Sequence, residues 1–135
     1  MMQFSHILFG AALLGLGSQP GFAAGEAVQF SVTNTGAEAL ECAASIAHWF
    51  SEELGEIAPG ATLEFSFGYD LPSGTIFRLN ERDDEMAVQR IWCGNSGAAW
   101  ETRAELPMQR EAGAAAGAVV LNCAAAAGKT RCEAP

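Results

Sequence analysis

The chain has 135 residues, with 16 Asp and Glu against 7 Lys and Arg, and a net charge of −9. That excess of carboxylates repels phosphate backbones and anionic lipid surfaces, so nucleic acid is a poor candidate partner and anionic membrane surfaces are disfavoured. A basic protein partner, or solubility alone, fits the charge.

The N-terminus carries an apolar run from Ile7 to Leu16. It suits a secretory signal and falls short of the roughly 20 residues a spanning helix needs. Gly17, Ser18 and Pro20 break it, and Gly21-Phe22-Ala23 offers small residues to a signal peptidase. Residues 1–23 therefore read as a signal peptide, cleaved after Ala23 or Ala24, although no Lys or Arg precedes the run. No Cys follows it directly, so no lipid anchor is expected. Residues 24–123 read as one domain and residues 124–135 as a small-residue tail, in a periplasmic or secreted protein.

The domain alternates in hydrophobicity from its start. Val28, Phe30 and Val32 oppose Gln29, Ser31 and Thr33, the period-2 pattern of a half-buried strand. Asn34-Thr35-Gly36 is a turn. Leu40 to Phe50 reads as a second strand, and Ser51 to Gly60 as a loop closed by Ala58-Pro59-Gly60. Thr62 to Tyr69 alternates most clearly. Thr75 to Asn80 and Met86 to Cys93 follow as strands, joined by the polar tip Glu81 to Glu85. Gly94 to Gly97 is a turn, Ala98 to Leu106 resumes the strand pattern, Glu111 to Gly117 is a loop, and Ala118 to Cys123 is a last short strand. About seven strands with regular turn signals predict an all-β sandwich.

The cysteines are Cys42, Cys93, Cys123 and Cys132. An even number in a short exported chain favours disulfides over metal, since there is no C-x-x-C and His48 is the sole histidine after the signal. Three pairings are possible. Cys42–Cys93 is the expected one, both lying on apolar strands that can point into the core. It leaves Cys123–Cys132, which are close in sequence across small residues.

Val32-Thr33-Asn34-Thr35-Gly36, followed by Ile57-Ala58-Pro59-Gly60-Ala61-Thr62 and Phe65-Ser66-Phe67, resembles bacterial immunoglobulin-like domains of the CARDB kind. The resemblance covers residues 28–70. It implies an immunoglobulin-like sandwich of a sort that is often non-catalytic. Asn95-Ser96-Gly97-Ala98 resembles the Ser-Gly loop of periplasmic lysozyme inhibitors, small exported β-barrels that bind a basic enzyme. That likeness makes Ser96 a candidate contact.

Few residues offer chemistry. His48 with Ser45, Ser51 and Asp70 has the residue types of a hydrolytic triad, but no nucleophile elbow accompanies them. Glu81-Arg82-Asp83-Asp84-Glu85 lacks the glycine of a calcium loop. Of the three tryptophans, at least two are expected in the core, with Trp92 packed beside the Cys93 bridge and Trp100 the best candidate for exposure. His48, Trp49, Ser96 and Trp100 are thus the binding candidates, and no metal or cofactor is expected. The sequence points to an exported, non-enzymatic accessory or protein-binding subunit. The alternatives are an inhibitor of a basic hydrolase and a small hydrolase using His48.

Overall fold

Alternating apolar residues set the first strands. The computed structural model describes residues 27–135; the signal peptide expected at residues 1–23 lies outside them. Strand β1 (Ala27–Asn34) and β2 (Leu40–Ile46) each bury every second residue. Strands β3 (Phe50–Ile57), β4 (Thr62–Asp70), β5 (Thr75–Leu79) and β6 (Glu85–Asn95) follow, then the two-residue β7 (Ala104–Glu105), β8 (Val119–Ala126) and β9 (Lys129–Glu133). The described chain is all-β, with nine strands instead of about seven.

The strands pair in one continuous order, β3-β2-β6-β5-β4-β1-β8-β9, with β7 attached to β6. The β1–β8 pair is parallel and the others are antiparallel, so the sheet is mixed. Strand β6 changes partners midway. Its first residues pair with β5, and those from Val88 onward pair with β2. Inward residues of both halves then share one core, including Phe30, Val32, Leu40, Ile46, Phe67, Tyr69, Val88 and Ile91. Phe30 stacks on its cross-strand partner Phe65 at 5.0 Å between ring centres, and Phe67 lies beneath the Arg78 guanidinium at 4.5 Å. The Tyr69 hydroxyl, at the end of a buried ring, bonds the carbonyls of Glu111 and Ala114 and pins the loop before β8.

Three sequence expectations need correction. Ser51 to Ile57 is strand β3, not loop. It pairs with β2 alone, so its outer face carries carboxylates rather than an apolar alternation, as edge strands do. Ala98 to Arg103 is a folded turn, not a strand, because Thr102 bonds back to Ala98 through both its amide (3.1 Å) and its hydroxyl (2.7 Å). Residues 124–135 are not a tail: Ala124–Ala126 finish β8 and Lys129–Glu133 return as β9.

The bridges join Cys42 to Cys93 and Cys123 to Cys132. Each links residues directly opposite one another in neighbouring antiparallel strands. The first therefore staples one ladder from its buried side and does not span two layers of a sandwich. Two disulfides mark a protein that folds in an oxidising environment.

The turn residues of the CARDB-like segment meet at one point. Asn34 is fully buried. Its Nδ2 donates to the carbonyls of Glu38 (2.7 Å) and Ile57 (2.9 Å), and its Oδ1 accepts the amide of Gly36 at 3.0 Å. Its backbone amide donates to Ala61 O (2.9 Å) and its carbonyl accepts the Gly60 amide (2.8 Å). Gly60 has φ of 79°, which a residue with a Cβ adopts only at a cost. One side chain thus ties the β1–β2 turn to the β3–β4 turn.

Candidate functional site

The buried alternation of β2 turns Glu41, Ala43 and Ser45 outward. The ladder register then lays out a solvent-facing surface in rows across neighbouring strands. Ser51, Ser45 and Arg90 form the first row, on β3, β2 and β6. Glu53, Ala43, Trp92 and Glu105 form the next, which extends onto β7. Glu56, Glu41 and Gly94 form the last. The face runs from hydrogen-bond donors at one end, through an indole, to carboxylates at the other.

Two irregularities shape the donor end. Ser45 pairs with Arg90, but Ile46 pairs with Val88, so Gln89 is an extra residue in β6. Val88 and Ile91 both stay in the core, which leaves Gln89 and Arg90 together on the outer side. Re-aiming side chains in this way is a common use of a β-bulge. The second irregularity is the β2–β3 turn. Ala47 and His48 both have left-handed backbones, φ 52° and 66°, and Trp49 N closes the turn on Ile46 O at 3.3 Å. Such a turn usually takes Asn-Gly. Each residue with a Cβ here costs about 1 kcal/mol or more. The bulge braces the turn, because His48 N donates to Gln89 Oε1 at 2.7 Å.

Between these irregularities lies a groove of about 430 Å³, lined by Ser45, His48, Ser51, Gln89 and Arg90, with Trp92 and Trp100 as its aromatic wall. The 96–103 loop supplies Trp100, whose ring meets Trp92 edge to face at 5.1 Å. Arg103 lies over the Trp100 ring at 3.8 Å and Arg90 at 5.7 Å, and both pair with Glu105, at 3.6 and 2.9 Å. Strand β9 braces the loop: Thr130 N donates to Thr102 O and Thr130 bonds Asn95, each at 2.7 Å.

Gly94 makes this close packing possible. A Cβ there would collide with the Ala99 backbone, 2.6 Å from its carbonyl carbon. Gly94→Ala is therefore expected to lift the loop off β6 and wet Trp92, which is otherwise 6% exposed. Tryptophan emission should shift to the red with the fold retained; an unchanged spectrum would show that the loop does not depend on this contact.

The four candidates from the sequence do not form one site. His48 and Trp100 share the groove. Trp49 lies on the other side of the hairpin tip, edge to face with Phe50 at 6.1 Å, above a depression lined by Asn80, Glu81, Arg82 and Met86. Ser96 sits at the far, acidic end, where its hydroxyl donates to Glu56 Oε1 at 3.3 Å and Gly97 N donates to Glu41 Oε1 at 3.2 Å. The tryptophans also correct an expectation. Trp49 and Trp100 are 79% and 47% exposed, and Trp92 is buried under Trp100 on the face opposite Cys93, outside the main core cluster.

Ser45 and Ser51 stand in the groove with His48, but no hydrogen bond joins the imidazole to either hydroxyl among the described residues. Asp70 ends β4, where it accepts from the amide and hydroxyl of Ser73 in the β4–β5 turn. The acidic tip is ordered by Asn80, whose Oδ1 accepts the amides of Arg82 (2.8 Å) and Asp84 (2.9 Å). Among the described residues no group of three or more His, Cys, Asp or Glu side chains is placed to hold a metal, and no helix is long and apolar enough to cross a membrane. Gln89 and Arg90 were not among the sequence candidates. Their signal was the apolar spacing Val88 to Ile91, which is odd where a regular strand requires even.

No protein-family model matches the chain, and no curated protein matches it.

Proposed function

We propose that the protein is an exported, non-enzymatic binding subunit of the periplasm, and that it engages a second protein with the β2–β3 hairpin tip. The exposure of Trp49 (79%) beside Phe50 (40%) carries this reading. Large aromatics held in water at the end of a braced turn have the character of interface anchors, which are enriched in Trp and Tyr. The net charge of −9 favours a basic partner. An immunoglobulin-like sandwich is the fold that goes with this role. Its support is the coiling of the sheet at β6, so that residues from both halves of the sheet share one core.

Inhibition of a basic hydrolase is the second reading, in which the exposed Trp49 and Phe50 would enter the enzyme's active-site cleft. The test is co-purification from periplasmic extract with the protein and with Trp49→Ala as baits. A stoichiometric partner retained by the first and lost by the second supports the subunit reading. Inhibition of an added basic hydrolase, relieved by Trp49→Ala, supports the inhibitor reading. Equal behaviour of the two baits sinks both.

A further inference from the structure

We propose that the groove between the hairpin tip and the 96–103 loop binds a small polyhydroxylated carboxylate, a hexuronic acid unit of a saccharide. This goes beyond the partner reading, since Trp49 and Phe50 face the other side of the tip.

The groove's volume of about 430 Å³ lies in the usual range for small-ligand sites, about 300–1,000 Å³. Its lining is unusual for this chain. In a protein with net charge −9, no carboxylate lines the groove, whereas Ser45, Ser51, Gln89, His48 and Arg90 all do. Ser51, Ser45 and Arg90 are cross-strand neighbours in register, so the three residues stand in a row spaced by about 4.8 Å per strand, with the Arg90 guanidinium drawn toward Glu105. That row spans a pyranose ring with its substituents.

Arg90 marks the carboxylate end. Its Nε is held by Glu105 at 2.9 Å, which orients the guanidinium and leaves its terminal nitrogens to pair with a second carboxylate, the group whose geometry a guanidinium matches best. Gln89 spends its Oε1 on the His48 amide and keeps its Nε2 as a further donor beside the groove. The hydroxyls of the ligand take these donors and the serine hydroxyls, and its apolar ring edge lies along Trp92 and Trp100. Glu105, the carboxylate next to this end, is shared between Arg90 and Arg103, so two guanidinium groups offset its charge where the ligand carboxylate binds.

The inference is tested by calorimetric titration of the isolated protein with galacturonate and with trigalacturonate, with glucose and acetate as comparators. Saturable binding of either uronate is expected, weaker as salt is added, with glucose and acetate at least tenfold weaker, or about 1.4 kcal/mol. Preference for the monomer marks a free sugar acid as the natural form; preference for the trimer marks a polysaccharide. Arg90→Ala should weaken binding at least tenfold and Ser45→Ala less so, while Arg131→Ala, the same charge change on β9, should leave it unaltered. No partner protein is present, so failure here leaves the subunit reading standing. Absence of saturable heat with both uronates, equal binding of glucose or acetate, or equal losses for Arg90→Ala and Arg131→Ala overturns the proposal.

Discussion

Asn34→Asp is expected to unfold most of the population at neutral pH and to recover stability as the pH falls. The new side chain would keep the acceptor for the Gly36 amide but turn an oxygen toward the carbonyls of Glu38 and Ile57, where Nδ2 now donates at 2.7 and 2.9 Å. The site is fully buried. A carboxylate facing two carbonyls there is disfavoured, so the folded state holds its carboxyl well above the unfolded value of about 3.9. The folded state then binds more protons than the unfolded state at any pH between those two values, and stability falls as pH rises through that window. At lower pH the neutral acid can donate to one carbonyl and recover part of the loss. Asn34→Ala provides the comparison. It strands a buried acceptor at Ile57, a part-buried one at Glu38 and the Gly36 donor without adding charge, for a loss of about 3 kcal/mol that does not vary with pH. Urea melts of both variants from pH 4 to 8 check this; parallel curves would show that the buried carboxyl is not the cause.

Loss of the Cys42–Cys93 bridge should be the other severe lesion. The bridge closes a loop with a sequence separation of 51, against 9 for Cys123–Cys132. On the chain-entropy estimate these loops are worth about 4 and about 2.5 kcal/mol. A small domain has a total stability of roughly 5–15 kcal/mol. Cys42 and Cys93 are also buried in the core, so truncation adds a cavity, while Cys132 is only half-buried. The double variant Cys42→Ala/Cys93→Ala avoids a free thiol and should melt at far lower urea than Cys123→Ala/Cys132→Ala. Equal midpoints would refute the ranking.

Much of the strand pattern was written in the alternation of apolar residues. Val28, Phe30 and Val32 marked β1, and Leu63, Phe65, Phe67 and Tyr69 marked β4, because each had one face to bury. Strand β3 was hidden because an edge strand need not alternate: Glu53 and Glu56 occupy its outer face, Glu52 on the other face pairs with Arg78, and Gly55 reads as a breaker although it pairs with Cys42 beside the extra residue Leu54. The tail was missed for a related reason. Ala124 to Ala126 carry too little apolar contrast to show a face, and only the pairing of Cys123 with Cys132 reveals that the chain turns back. At the candidate site, His48 and Trp100 were legible as residue types, but their proximity was not. It depends on the extra residue at Gln89 and on the approach of Ala99 to Gly94, both set by register across strands distant in sequence.

The two bridges have one more consequence. Their pairing is consecutive, the first cysteine with the second and the third with the fourth. A polypeptide that emerges N-terminus first presents its thiols in the order in which they join. Cys93 meets Cys42 before any competing cysteine has appeared, and the last two then have only each other. An oxidant acting on the nascent chain would give the native connectivity without reshuffling, so the yield of correctly bridged protein should depend on a thiol oxidase and not on a disulfide isomerase.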